Sequence, residues 1–377
     1  MTPLLRKFLG MNWILFGTML ALAVFGVVVI YSCTYMRDNP AYYTMWRKQA
    51  AWVGISTVVF VITSLVHYRW VRWGALPMYA ISMVFLILTL LMGVIKDGAR
   101  CWLKLGPLIF QPAQLAVVSG VLIMALFLTQ FPRLHPLRKL LACGLLSGAP
   151  ALLILIQPDL GECLVWIPVA FSMLFMARLP LRYLIVIALL AATAMPIAYN
   201  FKLKPYQQAR IVAFIDPEID THGSAWAINQ CLIAIGSGGW SGKGFLAKDS
   251  QVELGYVPRT TVPNDYIFSA VGEQWGFVGG AALVGAFAVL LSSCIYVAAR
   301  AADRLGLLLC VGMIALIFAH TFQNIGMNIA LMPVTGVPLP LISYSGSFVF
   351  VIFFGLGLVN SVWVHRKEPP PSHPLSR

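Results

Sequence analysis

The sequence predicts an all-α integral membrane protein with about ten transmembrane helices, formed by one polytopic domain over residues 1–377. Three observations support this fold class. Hydrophobic residues make up 60% of the chain. Only 10% of the residues are charged, whereas a soluble domain carries about 25%. Apolar runs long enough to cross about 30 Å of hydrocarbon recur along the whole length.

The apolar runs place the spans in order along the chain. The first run lacks a small-residue cleavage site and is followed by further spans, so we interpret it as an anchor and not as a signal peptide. The fifth and sixth spans are separated only by Gln157-Pro158-Asp159. The predicted spans are 12–33, 49–66, 74–95, 111–130, 138–156, 159–177, 181–200, 266–297, 305–330 and 344–365.

The net charge of +13 indicates orientation in a membrane and contact with anionic lipid, and not nucleic-acid binding. Lys and Arg concentrate in alternate short loops and in both tails, which predicts that both termini are cytoplasmic. The end of the chain, at about 366–377, is predicted to be a disordered cytoplasmic tail. The seven cysteines lie mostly inside spans and indicate neither a disulfide framework nor a zinc site.

A long outer loop at about 201–265 is the main departure from a bundle of simple spans. Its segment "AWAINQCLIAIGSGGWSGKGF" is apolar but too short and too rich in glycine to cross, which favours a re-entrant or surface helix followed by a glycine turn. The segment "LMPVTGVPLPLISYSGS", between the last two spans, is also irregular. Irregular backbone at membrane depth is tolerated where it lines a cavity or is buried in protein. The sequence therefore predicts an outward-facing cavity.

Asp265 is the first candidate for chemistry. It lies where the long loop meets the eighth span, and the backbone amides of a first helical turn favour an ionised carboxylate. Such a carboxylate can act as a base or hold a cation. The alternative is that Asp265 or Asn264 only caps the helix.

Two further acids lie within or beside spans. Glu273 follows Asp265 by eight residues, which places it about 12 Å deeper along a helix. Asp159 is at the start of the sixth span, next to Glu162. Acids in hydrocarbon are costly, and both are candidates for ligand binding. The alternatives are a structural acid at Glu273 and a helix N-cap at Asp159.

Basic and aromatic residues lie on the same outer side. Arg100, Trp102 and Lys104 occur in the short loop "GARCWLKLG", and Arg210 occurs in the long loop. Positive charge in a short outer loop opposes the usual preference of Lys and Arg for cytoplasmic loops. Its presence there favours an anionic ligand. Arg beside aromatic residues suits a lipid diphosphate, whose charge lies at headgroup level. Solvated loop charges are the alternative.

Polar residues near the spans complete the candidate set. Gln111, Gln230 and Ser343 could contact a ligand, but polar side chains there also bond helix to helix. The sequence contains no Ser/His/Asp hydrolase pattern, no GxxxxGK[ST] loop and no HExxH motif. Nucleotide hydrolysis and zinc proteolysis are therefore not predicted.

Six motifs occur in order between about residues 12 and 365, and together they resemble the SEDS (shape, elongation, division and sporulation) family of peptidoglycan polymerases. The resemblance is to the RodA-like, elongation branch and not to the FtsW-like, division branch. Thr335 precedes Gly336 where the division branch tends to carry lysine, and the amino-terminal tail is short. The motifs are "GARCWLKLGPLIFQP", "QPDLGE", "YQQARIVAFIDPEID", "AIGSGGWSGKGF", "NDYIFSAVGEQWGFVGG" and "NIGMNIALMPVTGVPLPLISYSGS".

The resemblance implies a peptidoglycan glycosyltransferase in the bacterial cytoplasmic (inner) membrane, which polymerises lipid II into glycan strands during cell elongation and cell-shape maintenance. The family's essential aspartate falls on Asp265. It would be the general base that takes a proton from the sugar 4-hydroxyl of incoming lipid II. The implied transfer is inverting and releases undecaprenyl diphosphate, whose charge Arg210, Arg100 or a divalent cation would offset.

The resemblance also implies partners and a cofactor. The partners are lipid II, an undecaprenyl-linked glycan and a class B penicillin-binding transpeptidase whose membrane anchor would pack against the eighth and ninth spans. A divalent cation, Mg²⁺ or Mn²⁺, is compatible with Asp265, and no nucleotide is implied. Three other functions remain open: a flippase for the lipid-linked precursor, an FtsW-like division polymerase, and a non-catalytic scaffold for a penicillin-binding protein.

The fourth span departs from the family pattern. The family reads Gln-Pro-Ser-Glu with lysine three residues on, whereas this chain has Gln111-Pro112-Ala113-Gln114 followed by Val117. An acid and a base are therefore both absent. Their joint loss leaves no unpaired buried charge, so we expect the fold to be kept and any catalytic contribution of that pair to be lost.

Overall fold

The computed structural model describes residues 2–35, 40–96, 99–106, 108–201, 205–216 and 223–368. Most of these residues are helical. The helices are α1 Pro3–Leu9, α2 Trp13–Thr34, α3 Pro40–Tyr43, α4 Met45–Leu65, α5 Val71–Met92, α6 Pro112–Gln130, α7 Pro136–Ile156, α8 Leu160–Met176, α9 Leu181–Phe201, α10 Pro205–Ile215, α11 Ser224–Ser237, α12 Gln251–Leu254, α13 Ile267–Ala299, α14 Arg304–Asn328 and α15 Gly346–Val364.

The predicted all-α membrane fold is confirmed. In the described part of the chain, eight helices are long and apolar enough to cross a membrane. Helices α8 and α9 occupy the positions of the predicted sixth and seventh spans, and their apolar stretches, Leu160–Met176 and Leu181–Leu190, are shorter than the other eight. The predicted tail beyond Glu368 and part of the predicted long loop, at 202–204 and 217–222, lie outside the described residues.

Helices α6, α14 and α15 form the centre of the bundle. Protein buries 83% of the apolar window of α6 and 72% of the windows of α14 and α15. The other five long spans bury 22–39% of theirs. Around this centre, α4 packs on α15, α5 on α6 and α8 on α14. The outer helices therefore present wide apolar faces, as expected for helices in contact with lipid.

A small antiparallel sheet connects α5 to α6. Its strands are β1 Val94–Lys96, β2 Ala99–Leu105 and β3 Leu108–Phe110, in the order β1-β2-β3. The sequence predicts only a short loop for this segment. In β2 the buried Cys101 and Leu103 alternate with Trp102 and Lys104 on the other face, which is the side-chain period of a strand.

The predicted re-entrant or surface helix is α11, and it packs against α10, α13 and α14. The glycine turn that follows α11 docks on a break in α13. The break is at Gly276, whose φ is +64° and whose ψ is −159°. A residue with a side chain rarely adopts such a conformation. A Cβ at Gly276 would also lie 2.4 Å from the backbone nitrogen of Gly242.

The docked turn supplies the hydrogen bonds that α13 loses at its break. The amides of Lys243 and Gly244 donate to the carbonyl oxygens of Glu273 and Gln274 at 2.9 and 3.1 Å. On the other side of the break, the amide of Phe277 donates to the turn at 2.8 Å. Unpaired backbone groups would be costly at membrane depth, so the turn and the break stabilise each other.

We expect Gly276→Ala to destabilise the fold by about 2–4 kcal/mol, because alanine would force strain or displace the docked turn. Thermal unfolding in detergent measures the effect. Gly285→Ala is the matched control in the same helix, since nothing lies within 4 Å of a Cβ there. This control should keep or slightly raise the melting temperature. Equal melting temperatures for the two variants would contradict the role of the break.

Candidate functional site

A half-open cleft lies at the end of the bundle where α6, α8 and α13 begin, and it encloses about 130 Å³. Strand β2, the helix starts and the loop between α14 and α15 all contribute to its walls. The cleft brings together five residues that the sequence analysis singled out, namely Trp102, Gln111, Asp159, Arg210 and Asp265. The predicted cavity is therefore present at the end that carries the predicted outer loops.

Asp265 is half-buried in the turn that leads into α13. The N-cap position of α13 is Tyr266, whose side chain makes no capping hydrogen bond. Neither Asp265 nor Asn264 occupies the N-cap position that was the alternative considered from the sequence. The Asp265 carboxylate is instead part of the cleft wall.

Two asparagines on α14 fix the backbone of Asp265. The side-chain amides of Asn324 and Asn328 donate to the Asp265 carbonyl oxygen at 2.9 and 3.0 Å. Asn324 also donates to the carbonyl of Val337 at 2.8 Å. Both asparagines have no exposed surface. They tie Asp265 and the loop after α14 to the buried centre of the bundle.

Ser343 joins the two loops behind the cleft wall. Its hydroxyl donates to the carbonyl of Asn264 and accepts the amide of Leu339 at 2.8 Å. Its own carbonyl accepts a hydrogen bond from Gln49 at 3.1 Å. Ser343 is 1% exposed and does not line the cleft. The structure therefore places this predicted substrate-binding residue in a supporting position.

Opposite charges flank Gly336 in the cleft. A Cβ at Gly336 would lie 3.7 Å from Oδ2 of Asp265 and 4.0 Å from Nη1 of Arg210. Arg210 also donates to the carbonyl of Val334 at 3.3 Å. Gly336 has a φ of +70°, a backbone conformation that glycine adopts without strain. A carboxylate that can accept a proton thus lies near a guanidinium that can bind an anion.

A chain of polar side chains fixes the second acid of the cleft. Gln111 donates to Oδ2 of Asp159 at 2.6 Å, and Gln114 donates to Gln111 at 3.1 Å. Ser347, on α15, donates to Gln114 at 3.0 Å. Oδ1 of Asp159 also caps α8 by accepting the amide of Glu162 at 3.1 Å. Asp159 is therefore both the N-cap considered from the sequence and part of the cleft.

A buried acid, Glu162, and a buried base, His320, lie beneath these hydrogen-bonded polar side chains. Oε2 of Glu162 on α8 lies 3.7 Å from Nε2 of His320 on α14, and each side chain is 1% exposed. The family's acid and lysine on the fourth span are replaced here by Gln114 and the buried Val117. The buried acid and base of this protein lie on α8 and α14. From the sequence alone, His320 is a single polar residue in an apolar span and gives no signal of this contact.

Besides Ser343, four predicted site residues lie away from the cleft lining. Arg100 and Lys104 are exposed on β2, and Arg100 donates to the carbonyl of Leu90 at 3.3 Å. Gln230 lies on α11. Glu273 is fully buried, pairs with Lys243 at 2.8 Å and accepts amides from the first turn of α12. Glu273 therefore has the contacts of a structural acid.

Other residues of the lining were not predicted to be site residues. They include Cys101, Thr261, Thr335 and Tyr344. The amide of Tyr344 donates to the carbonyl of Pro263 at 2.8 Å, which joins the last loop to the Asp265 turn. Burial raises the pKa of the Cys101 thiol, and the acids Asp159 and Glu162 raise it further. Cys101 therefore stays protonated at neutral pH and is a poor nucleophile.

We expect Asn324→Leu to lower the free energy of unfolding by about 2–4 kcal/mol, because the Asp265 and Val337 carbonyls each lose a buried donor. Thermal unfolding in detergent measures the change. Gln323→Leu is the control on the same helix, since Gln323 is 5% exposed and its side-chain oxygen has no hydrogen-bond partner among the described residues. An equal loss in both variants would contradict the role of Asn324.

Comparisons with known proteins agree on one family. The family model for the FtsW, RodA and SpoVE cell cycle proteins matches residues 12–368. Peptidoglycan glycosyltransferase MrdB of Escherichia coli K12 is 33% identical over 349 residues, covering 93% of this chain and 92% of the relative. Peptidoglycan glycosyltransferase RodA of Treponema pallidum is 27% identical over 422 residues, covering 93% and 97%.

Solved structures show the same similarity. A chain of a peptidoglycan synthase complex, studied for how it coordinates polymerization and crosslinking, has a TM-score of 0.79 at 28% identity and covers 95% of this chain and 99% of that one. The crystal structure of rod shape determining protein RodA from Thermus thermophilus has a TM-score of 0.70 at 28% identity and covers 95% and 98%. The chain therefore belongs to the FtsW, RodA and SpoVE family, the SEDS family of the sequence analysis, as a RodA-like member.

Proposed function

We propose that this protein is a peptidoglycan glycosyltransferase that polymerises lipid II into glycan strands during cell elongation. One observation carries the proposal: the carboxylate of Asp265 and the guanidinium of Arg210 flank Gly336 in an open cleft. The MrdB and RodA relatives, which are named peptidoglycan glycosyltransferases, support the same activity.

Asp265 is the general base in the proposed reaction. The sugar 4-hydroxyl of lipid II attacks the anomeric carbon at the lipid-linked end of the growing strand, and its proton passes to the Asp265 carboxylate. A new C–O bond forms while the bond to undecaprenyl diphosphate breaks, so the linkage inverts without a covalent enzyme intermediate. A positioned base of this kind contributes about 10²–10⁴-fold in rate.

Arg210 offsets the charge that develops on the leaving diphosphate. A guanidinium binds phosphate oxygens by charge-assisted hydrogen bonds, which are stronger than neutral ones. Trp102 and Tyr344 add aromatic surface to the cleft walls. The hydrogen bonds from Asn324 and Asn328 to the Asp265 carbonyl limit movement of the base. We expect catalysis to depend on this pre-positioning.

A divalent cation fits the donor set of the cleft. Mg²⁺ binds through one or two carboxylates together with substrate phosphates, and Mn²⁺ prefers similar oxygen ligands. Asp265 and Asp159 are the two carboxylates of the lining. Among the described residues, no group of three or more His, Cys, Asp or Glu side chains is placed to hold a metal by itself. A cation there would supply charge neutralisation for the diphosphate.

The proposed location is the bacterial inner membrane, with the cleft facing the periplasm and both termini in the cytoplasm. The face opposite the cleft carries Lys7, Arg300, Arg304 and Arg366 at helix ends. Positive residues favour the cytoplasmic side. This orientation would place the cleft where the sugars of lipid II are exposed after translocation.

We predict that Asp265→Asn lowers polymerisation of lipid II by at least about 100-fold, because the amide cannot accept the proton. The measurement is glycan-strand synthesis by purified protein in detergent, with and without added Mg²⁺ or Mn²⁺. Asp249→Asn, an exposed acid outside the cleft, should keep wild-type activity. Binding of lipid II should be retained in both variants.

Three outcomes would each contradict part of the proposal. Wild-type rates of polymerisation by Asp265→Asn would contradict the role of Asp265 as the base. If the wild type polymerises nothing and the Asp265→Asn variant translocates lipid II in vesicles, a flippase is favoured. Normal growth of cells carrying Asp265→Asn, together with harm from deletion of the gene, would favour a non-catalytic scaffold.

The proposed partner is a class B penicillin-binding transpeptidase, whose membrane anchor would pack on α13 and α14. The similarity to a chain of a peptidoglycan synthase complex supports an assembly of this kind. Phe277 and Val278 on α13 are 63% and 59% exposed, and the stacked Phe318 and Phe322 on α14 are each 51% exposed. Of the small residues Gly279, Gly280, Ala281 and Ala282, the two alanines are exposed and allow close approach of another helix, whereas Gly280 is buried in the bundle.

We predict that a photo-crosslinker at Val278 captures the transpeptidase anchor in membranes. The matched position is Leu145 on α7, which is 71% exposed and should capture only lipid. Immunoblotting of the adducts reads the result. Capture of the transpeptidase from Leu145 and not from Val278 would place the contact elsewhere on the bundle.

A further inference from the structure

A second cavity opens at the end of the bundle opposite the cleft. It is a lateral groove between the start of α2, the last turns of α13 and the end of α15, and it encloses about 640 Å³. Its walls are mainly apolar and include Met11, Ile14, Ala288 and Val289. The groove contains no residue of the Asp265 cleft.

Two stacked cation–aromatic pairs form the rim of the groove. The guanidinium of Arg300 lies over the ring of Tyr296 at 4.2 Å, and that of Arg366 lies over the ring of Trp363 at 3.6 Å. The Tyr296 and Trp363 rings line the groove and contact each other with centroids 5.3 Å apart. The aromatic pair thus holds two guanidiniums at one edge of an apolar groove.

Arg300 and Arg366 are neighbouring positive charges at the rim of the groove. The pKa of Arg366 is lowered by burial first and then by the charge of Arg300. Among the described residues, Arg300 and Arg366 form no salt bridge. Asp303 pairs with Arg69, and Glu368 contacts Lys7 and His67. Adjacent guanidiniums of this kind attract a phosphate, which can accept hydrogen bonds from both.

A buried hydroxyl lies inside the groove. Ser293 is 8% exposed, and its Oγ has no hydrogen-bond partner among the described residues. Ser292 lies beside it and is exposed. A buried polar atom without a partner is costly. The ester or glycerol oxygens of a lipid can accept a hydrogen bond at this depth, below a phosphate at the rim.

We propose that this groove binds an anionic phospholipid of the leaflet opposite the cleft. The phosphate lies between Arg300 and Arg366, and an acyl chain fills the apolar groove between α2 and α13. Basic pockets between helices on the cytoplasmic side bind such headgroups. A transmembrane helix fits less well, since 640 Å³ holds only about one and a half turns of a helix 10 Å wide.

Native mass spectrometry of the purified chain tests the proposal with phosphatidylglycerol and with zwitterionic phosphatidylcholine as probes. The wild type should retain phosphatidylglycerol preferentially. Arg300→Gln with Arg366→Gln should weaken its apparent affinity about 10–30-fold, from the loss of two charges near the surface. Arg178→Gln with Arg182→Gln is the matched control, because these arginines lie at the same end and Arg182 stacks on Tyr183 at 5.2 Å. This control should bind as the wild type does.

A second variant tests the acyl chain separately from the headgroup. Ala288→Trp should block the groove and lower phosphatidylglycerol binding while both arginines remain. Soluble glycerophosphoglycerol should fail to displace the lipid. Wild-type binding by the double arginine variant, equal loss in the control, or displacement by the soluble headgroup would each overturn the proposal. A photo-crosslinker at Val289 should form a lipid adduct, and a protein adduct instead would assign the groove to a partner helix.

Discussion

Hydrogen bonding of irregular backbone inside the bundle is the constraint on which the cleft depends. Two of the segments that build it, the Asp265 turn and the loop after α14, are not regular helix. Their buried backbone is shielded from water, so protein must supply its hydrogen-bond partners. Asn324, Asn328 and Ser343 do so for both segments. These hydrogen bonds hold the backbone behind the cleft in place.

The charges of the site follow a second rule. An acidic side chain within the bundle needs either a local partner or a role in the reaction. Glu273 has local partners, namely Lys243 and the backbone amides of α12. Asp159 has Gln111 and the first turn of α8. Asp265 is held by its backbone, and its carboxylate faces the cleft with Arg210. Glu273 is thus a structural acid, Asp159 is both a helix cap and part of the cleft wall, and Asp265 is the proposed base beside Arg210.

Much of the fold could be predicted because a span has a simple physical signature, a long apolar run. The ends of α2, α6, α13 and α15 lie within a few residues of the predicted bounds. The site was predictable at Asp265, Arg210 and Asp159, where charge stands out against apolar sequence. It was not predictable at Glu162 and His320, because their pairing depends on the packing of α8 on α14. Gln230 and Glu273 show that a polar residue in an apolar helix does not reveal which way it faces.

The break at Gly276 has a mechanical consequence. An unbroken α13 would be a rod of about 50 Å, well beyond the thickness of hydrocarbon, and any tilt of its far end would swing the turn that carries Asp265. The break divides α13 into a short and a long segment, and the asparagines of α14 hold the short segment in place next to the cleft. Because the docked turn is hydrogen-bonded to both sides of the break, the long segment can cross the bilayer in its own direction while the short segment keeps its alignment with the carboxylate.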